Sequence, residues 1–350
     1  MEQLYLVGEP IFTIEDEIRD KFNAPAGQVA LCQDIIRETQ DKEMVRKKLQ
    51  EEYLAIIYAL KEMRINIRII YSHPESIDEK TLATCIGSLG CRLIGFDKNF
   101  YPPSVAYPRD FATVLPGLIL VNPEIAKLMI KEKDGYRISS SLLGVGGRIL
   151  HSDGNALVAE RLIRSEGRSV SAANSVDRQL SRLKIAYYPS PVACAYNTDV
   201  VDEQPHFNDH IDRVGCLLRG RDGRLHHIGD PHCCVIKWRG RDKIPLWYVL
   251  PELESIVTIR SRLRKLGIVD HGPNELTIPY AMNLVQFPDD RVLMTSGDPG
   301  MQNLVEDIVG ADKVVTTPVP IRYFPVWKYA GIRCLVNEAP MPLLKTITPT

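Results

Sequence analysis

Three segments of this chain repeat one plan, and that plan limits the folds open to it. RILHSDGNALVAE, GCLLRGRDGRLHHIG and NLVQFPDDRVLMTSG are each a pair of apolar, β-prone runs joined by a polar turn rich in Asp and Gly. Asp-Gly between such runs is a strong short-range hairpin signal, because tight two-residue turns need the left-handed backbone that glycine reaches without cost. The turn residues Gly154, Gly223 and Asp290 recur at intervals of 69 and 67 residues. Each hairpin is followed, at varying distance, by helix-like sequence: AERLIRSEG, PELESIVTIRSRLRKLG and MQNLVEDIVG. A hairpin-plus-helix unit at that period predicts a modular α/β architecture whose units share pattern rather than identity. No linker or low-complexity tract breaks the chain, so residues 1–350 read as one domain, although the length alone would also allow two.

Upstream of these hairpins, residues 41–65 place Val45, Leu49, Ile56, Ile57 and Leu60 at helical spacing with Lys and Glu between them. That is an amphipathic helix on one flank of the fold, and the RINIRIIYS that follows reads as a strand. Lys plus Arg is 43 against 44 for Asp plus Glu, so no bulk field draws the chain to nucleic acid or to an acidic membrane. A small-molecule or protein partner is expected instead. MEQLYLVGEP lacks the basic and apolar regions of a secretory signal, and FATVLPGLILVN is too short to cross a bilayer. The eight cysteines are scattered without the spacing of a disulfide scaffold, which favours reduced thiols and a cytoplasmic protein.

Several clusters could carry chemistry. HHIGDPHCC offers zinc-type ligands, but His226, His227, Cys233 and Cys234 are packed too tightly for one tetrahedron, so a surface turn with incidental histidines is the simpler reading. GVGGRIL lacks the spacing of a phosphate loop. In DHIDR, His210 and Asp212 would share one face of a strand, either as a hydrogen-bonded structural pair or as an acid/base beside a cation-binding carboxylate. Asp110 directly follows Arg109 in YPRDF, ahead of a strand. Cys334, in YAGIRCLVNE, reads on its own as a half-buried core thiol.

Taken in order, Pro108-Arg109-Asp110, the pair Gly146-Gly147 with its hairpin, His210-Ile211-Asp212 and Gly331-Ile332-Arg333-Cys334 resemble the guanidino-group-modifying enzyme superfamily. Its members include the arginine and agmatine deiminases, dimethylarginine hydrolases and amidinotransferases of arginine metabolism. The resemblance covers about residues 108–340, and residues 1–105 match loosely, as a first blade plus a helical embellishment. It implies the pentein fold, an α/β propeller of pseudo-fivefold repeated strand-helix blades, and with no credible nucleotide or zinc motif in the chain no metal and no cofactor are expected. It makes Cys334 the nucleophile and His210 the general acid and base. Asp110 and Asp212, together with Arg109, become the substrate-binding residues. The implied activity is a deiminase- or dihydrolase-type hydrolase that cleaves a C–N bond of a guanidino or amidine small molecule through a Cys-linked thiouronium. Amidino transfer to an amine is the alternative, and a catalytically silent binding protein a further one. The oligomeric state is left open. In one place the chain departs from the family: the acidic residue that usually precedes the glycine pair is replaced by Val145, and Asp153, Asp202 and Glu203 are the nearby acids that could take its role.

Overall fold

The computed structural model describes residues 3–14, 22–25, 28–38, 41–71, 77–95, 107–115, 117–122, 132–133, 136–141, 146–159, 180, 183–188, 192–196, 206–207, 210–229, 261–273, 276–328 and 330–338. Among them, five sheets repeat one order: a first strand pairs antiparallel with a second, and the second pairs parallel with a third. Ala112–Leu115, Leu118–Val121 and Tyr136–Ser140 form one such set. Ile149–Ser152, Asn155–Ala159 and Lys184–Tyr188 form another. Gly215–Arg219, Leu225–Gly229 and Val269–Pro273 follow, then Val285–Gln286, Val292–Met294 and Val314–Thr316. The fifth set joins the two ends of the chain. Val336–Glu338 is its first strand, Leu4–Val7 its second and Asn66–Tyr71 its third, with Arg92–Gly95 added in parallel. A sixth sheet, of His206–Phe207, Val192–Tyr196 and Phe22–Pro25, is antiparallel throughout.

The turns account for the periodicity of the hairpins. Asp153 and Gly154 have φ of 44° and 74°, the paired left-handed conformation of a type I′ turn. Gly223 at φ 76° and Asp290 at φ 66° take the same hand. The recurring turn residues are therefore recurring left-handed positions. Parallel return of the third strand requires a crossover, and helices supply it where the chain is described. MQNLVEDIVG lies in the helix Pro299–Val309, which starts at Asp298, whose side chain accepts a hydrogen bond from the Met301 amide, and stops at Gly310 with φ 100°. Of PELESIVTIRSRLRKLG, residues 261–265 are helical and 251–260 lie outside the described residues. Residues 160–167 of AERLIRSEG lie outside them too.

The amphipathic segment forms the helix Lys42–Glu62 and buries Val45, Leu49, Ile56, Ile57 and Leu60, which pack in one apolar cluster with Phe324 and Trp327. Glu52 sits on that buried face. Its carboxylate accepts hydrogen bonds from the amides of Arg322, Tyr323 and Phe324 at 2.6, 2.8 and 2.9 Å. Those are the open N–H groups at the start of the helix Tyr323–Trp327, and a carboxylate there satisfies donors that would otherwise be orphaned. Among the described residues, Cys32, Cys85, Cys91, Cys216 and Cys334 are free thiols, and no helix is long and apolar enough to cross a membrane.

Candidate active site

In each of the five repeated sheets a tight turn precedes the first strand, and one station in that turn recurs. Asp110, Gly147, Arg213, Asn283 and Cys334 each stand two residues ahead of their first strand. Pro108–Asp110, Gly146–Arg148 and Ile211–Arg213 are single 3-10 turns, while Cys334 lies in the short helix Ile332–Leu335. The fold thus presents one residue from every sheet at the same end of its strands. His210 and Asp212 come from the third of these turns. They are not on a strand: His210 is the extended residue that opens the turn, at φ −82° and ψ 87°, and Asp212 is inside it. The expected same-face pairing is therefore replaced by convergence on Gly147. A Cβ built on Gly147 would collide with Nδ1 of His210 and stand 2.9 Å from Oδ1 of Asp212, so only a glycine lets the two side chains approach that backbone.

Cys334 completes the group. Its Sγ lies 3.8 Å from Oδ2 of Asp212. Asp212 is wholly buried, and its Oδ1 has no hydrogen-bond partner among the described residues. A buried acceptor with open lone pairs is where a ligand's N–H donors would be received. Burial pushes the Cys334 thiol up to about 12, Asp212 adding to the rise, Arg213 opposing it and Asp110 adding again. Burial also raises the Asp110 carboxyl, against the pull of His210. Cys334 is therefore a neutral thiol beside acidic side chains. A cation entering between them would stabilise both the carboxylates and the thiolate.

Asn283 holds this arrangement together. Its Oδ1 accepts from the amides of Arg333 and Cys334 at 2.8 and 3.3 Å, and its Nδ2 donates to the carbonyl of Asp212 at 3.0 Å. One buried amide thus ties the Cys334 turn to the Asp212 turn. Close to it, a Cβ on Gly331 would come within 2.5 Å of Asn283 Oδ1. Next to Asp212, the Arg213 guanidinium sits 5.5 Å over the Tyr280 ring. Gln28 bridges the same pair, its Nε2 donating to the Arg213 carbonyl and its Oε1 accepting from the Tyr280 amide.

The structure sets His210 and Asp212 against Gly147 and Cys334 against Asp212, and it places Asp110 at the station that Cys334 occupies in its own turn. Arg109 goes elsewhere. Its guanidinium bonds Oδ1 of Asn337 at 3.3 Å and lines a cavity at the other end of the strands. Val145, Asp202, Glu203, Cys233 and Cys234 lie outside the described residues. His226 and His227 point to opposite faces of Leu225–Gly229: His226 pairs with His271 at 2.7 Å and Asp222 at 2.9 Å, and His227 with Asp270 at 2.9 Å. Among the described residues no group of three or more His, Cys, Asp or Glu is placed to hold a metal ion.

Solved structures share this arrangement of elements. The agmatine deiminase of C. jejuni superposes with a TM-score of 0.55 at 12% identity, over 96% of this chain and 93% of that one. The chain has the fold of an agmatine deiminase. A second structure, a structural-genomics target assigned as an agmatine deiminase, agrees at a TM-score of 0.53 and 14% identity, over 98% of this chain and 94% of that one. No family model and no curated protein matches the sequence. At such low identity the likeness to agmatine deiminase is one of fold. Asn283, Arg213, Tyr280 and Gln28 escaped motif reading because none belongs to a short pattern. The signal that could have found Asn283 is register: YAMNLVQF sets it two residues before a hairpin's first strand, the station of Asp110 and Cys334.

Proposed function

We propose that this chain is a hydrolase of guanidino or amidine small molecules, with Cys334 as nucleophile. The observation that carries the reading is the contact of the Cys334 thiol with the buried carboxylate of Asp212, beside His210, in a chain with an agmatine deiminase fold. The five repeated sheets would stand as blades of a pseudo-fivefold α/β propeller, in one domain spanning residues 1–350. A guanidinium is planar, cationic and a poor electrophile. Asp212 and Asp110 hold it flat by accepting its paired N–H donors, a geometry that carboxylates match well. Its charge offsets the effect of burial and of the two carboxylates on Cys334, so the thiolate forms when substrate is bound, the thiol proton passing to His210.

The thiolate then adds to the central carbon, forming the C–S bond, and His210 donates a proton to the departing amine as the C–N bond breaks. His210 takes a proton from water, the resulting hydroxide adds to the same carbon, and the C–S bond breaks to release a ureido product and the thiol. An amine in place of that water would give amidino transfer. The test is a panel of arginine, agmatine and methylated arginines, scored for released ammonia, urea or amine, with Cys334→Ala as control. A covalent amidino adduct on Cys334, detected by mass spectrometry, supports the reading. Turnover that persists in Cys334→Ala rejects Cys334 as the nucleophile, and a parent chain that neither turns over any member nor reacts with chloroacetamidine rejects the reading in favour of a binding protein.

A further inference from the structure

The first strands of the five sheets start at the Cys334 end and finish at a cavity of about 520 Å³ that the reading above leaves unused. His151 lies near the end of Ile149–Ser152, and Glu338 ends Val336–Glu338; both line it, and none of Cys334, His210, Asp110 and Asp212 does. Its mouth is marked by the exposed turn residues Asp153, Gly154 and Pro288. Two arginines reach in from the opposite end, Arg109 and Arg333. The Nε of each is buried without a hydrogen-bond partner, and neither guanidinium is in an ion pair among the described residues. The bond from Arg109 goes to the neutral amide of Asn337, so no carboxylate is in direct contact with its guanidinium among the described residues.

The groups around these arginines register that excess. Burial, then the neighbouring charge of Arg333, brings Arg109 down to about 9. Burial, then Arg109 and Arg333, holds His151 down at about 3, so its imidazole is neutral and can both donate and accept. Glu338 is the interior carboxylate, raised by burial and drawn down by Arg109. Arg219, at the rim, is already matched by Asp153 at 2.9 Å. Among the residues lining the cavity, two inward guanidiniums therefore face one unmatched carboxylate, Glu338, while Asp212 acts on both from outside the lining.

We propose that this cavity binds a small oxyanion, a carboxylate or a phosphate, between Arg109 and Arg333, at the end of the strands opposite Cys334. Guanidinium forks match the spacing of oxyanion oxygens, and about 520 Å³ is within the ordinary range of small-molecule sites. A single peptide bond separates Arg109 from Asp110 and Arg333 from Cys334. On the functional reading above, an anion gripping both arginines would act on the two turns that aim those residues. The binding site itself stands without that reading.

The test measures binding, with no turnover involved. Inorganic phosphate and succinate are titrated separately into the parent chain by calorimetry, at ionic strength matched with sodium chloride. Arg333→Gln, checked for folding by circular dichroism, should weaken binding at least tenfold, and Arg333→Lys should retain part of it. Binding of phosphate alone identifies a phosphate site, and of succinate alone a carboxylate site. Should Arg333→Gln not fold, parent crystals soaked in selenate answer the question: an anomalous peak within hydrogen-bond reach of Arg109 and Arg333 supports the site. Neither anion binding above chloride, equal binding by Arg333→Gln, or a soaked cavity holding only water overturns it.

Discussion

Asn283→Ala tests whether one amide sets the distance between Cys334 and Asp212. Asn283 is 2% exposed, so its hydrogen bonds are made out of water. Truncation leaves the Cys334 amide and the Asp212 carbonyl without this partner, while the Arg333 amide keeps its bond to the Asn283 carbonyl at 3.2 Å. Two buried groups orphaned at about 1–3 kcal/mol each give roughly 2–6 kcal/mol of lost stability. For a chain of 350 residues, an unfolding entropy of about 2.1 cal/mol/K per residue converts that into a fall in Tm of roughly 3–8 °C. Scanning calorimetry reads the fall. A purely structural role would stop there, so the second readout is the rate at which Cys334 is alkylated by cationic chloroacetamidine relative to neutral iodoacetamide. With the two turns untied, that preference should drop, because on the proposed function Asp212 would hold the cation and the thiol would no longer keep its place beside it. Asn283→Asp keeps the acceptor but sets a carboxylate oxygen against the Asp212 carbonyl, and should be at least as damaging. A Tm within about 1 °C of the parent, with the alkylation preference intact, would refute the linking role.

Gly147→Ala should displace His210 and Asp212, since its Cβ would occupy their space, costing about 1–3 kcal/mol and abolishing reaction with chloroacetamidine; Gly87→Ala, where nothing lies within 4 Å and φ is not positive, is the control that should keep that reaction. Equal effects from the two would remove the crowding argument. The Cys334 thiol, pushed up to about 12, is the protonated form at neutral pH, so its reaction with iodoacetamide should rise about tenfold per pH unit well past the ordinary thiol range, whereas chloroacetamidine should react near pH 7. Parallel pH profiles for the two reagents would show that bound cation does not assist ionisation. Glu52→Ala strands three amides at the start of Tyr323–Trp327 and should lower stability by about 3 kcal/mol or more, whereas a loss under about 1 kcal/mol in chemical denaturation would mean that water replaces the carboxylate.

The hairpins, the helix on the flank and the order of the motifs were all legible in the sequence, because each rests on local chemistry. Gly154, Gly223 and Asp290 mark left-handed turns wherever the chain lies, and the apolar stripe from Val45 to Leu60 defines a helical face without reference to a partner. Motif order alone brought forward Cys334, Asp110, His210 and Asp212 as candidates, and the fold sets Cys334 beside Asp212. What could not be read was direction. His210 and Asp212 looked like two residues on one face of a strand, yet a 3-10 turn carries them and they converge on a glycine from another sheet, 65 residues earlier in the chain for Asp212. Arg109 looked like a companion of Asp110, but its side chain leaves for the far cavity, as does that of Arg333 beside Cys334. Asn283 carries no motif, and its role exists only because the repeat brings its turn between those of Asp212 and Cys334. Local patterns decide which backbone each segment adopts. Which side chains then meet depends on how five sheets from distant parts of the chain set their turns against one another, and that information resides in long-range packing that no short stretch contains.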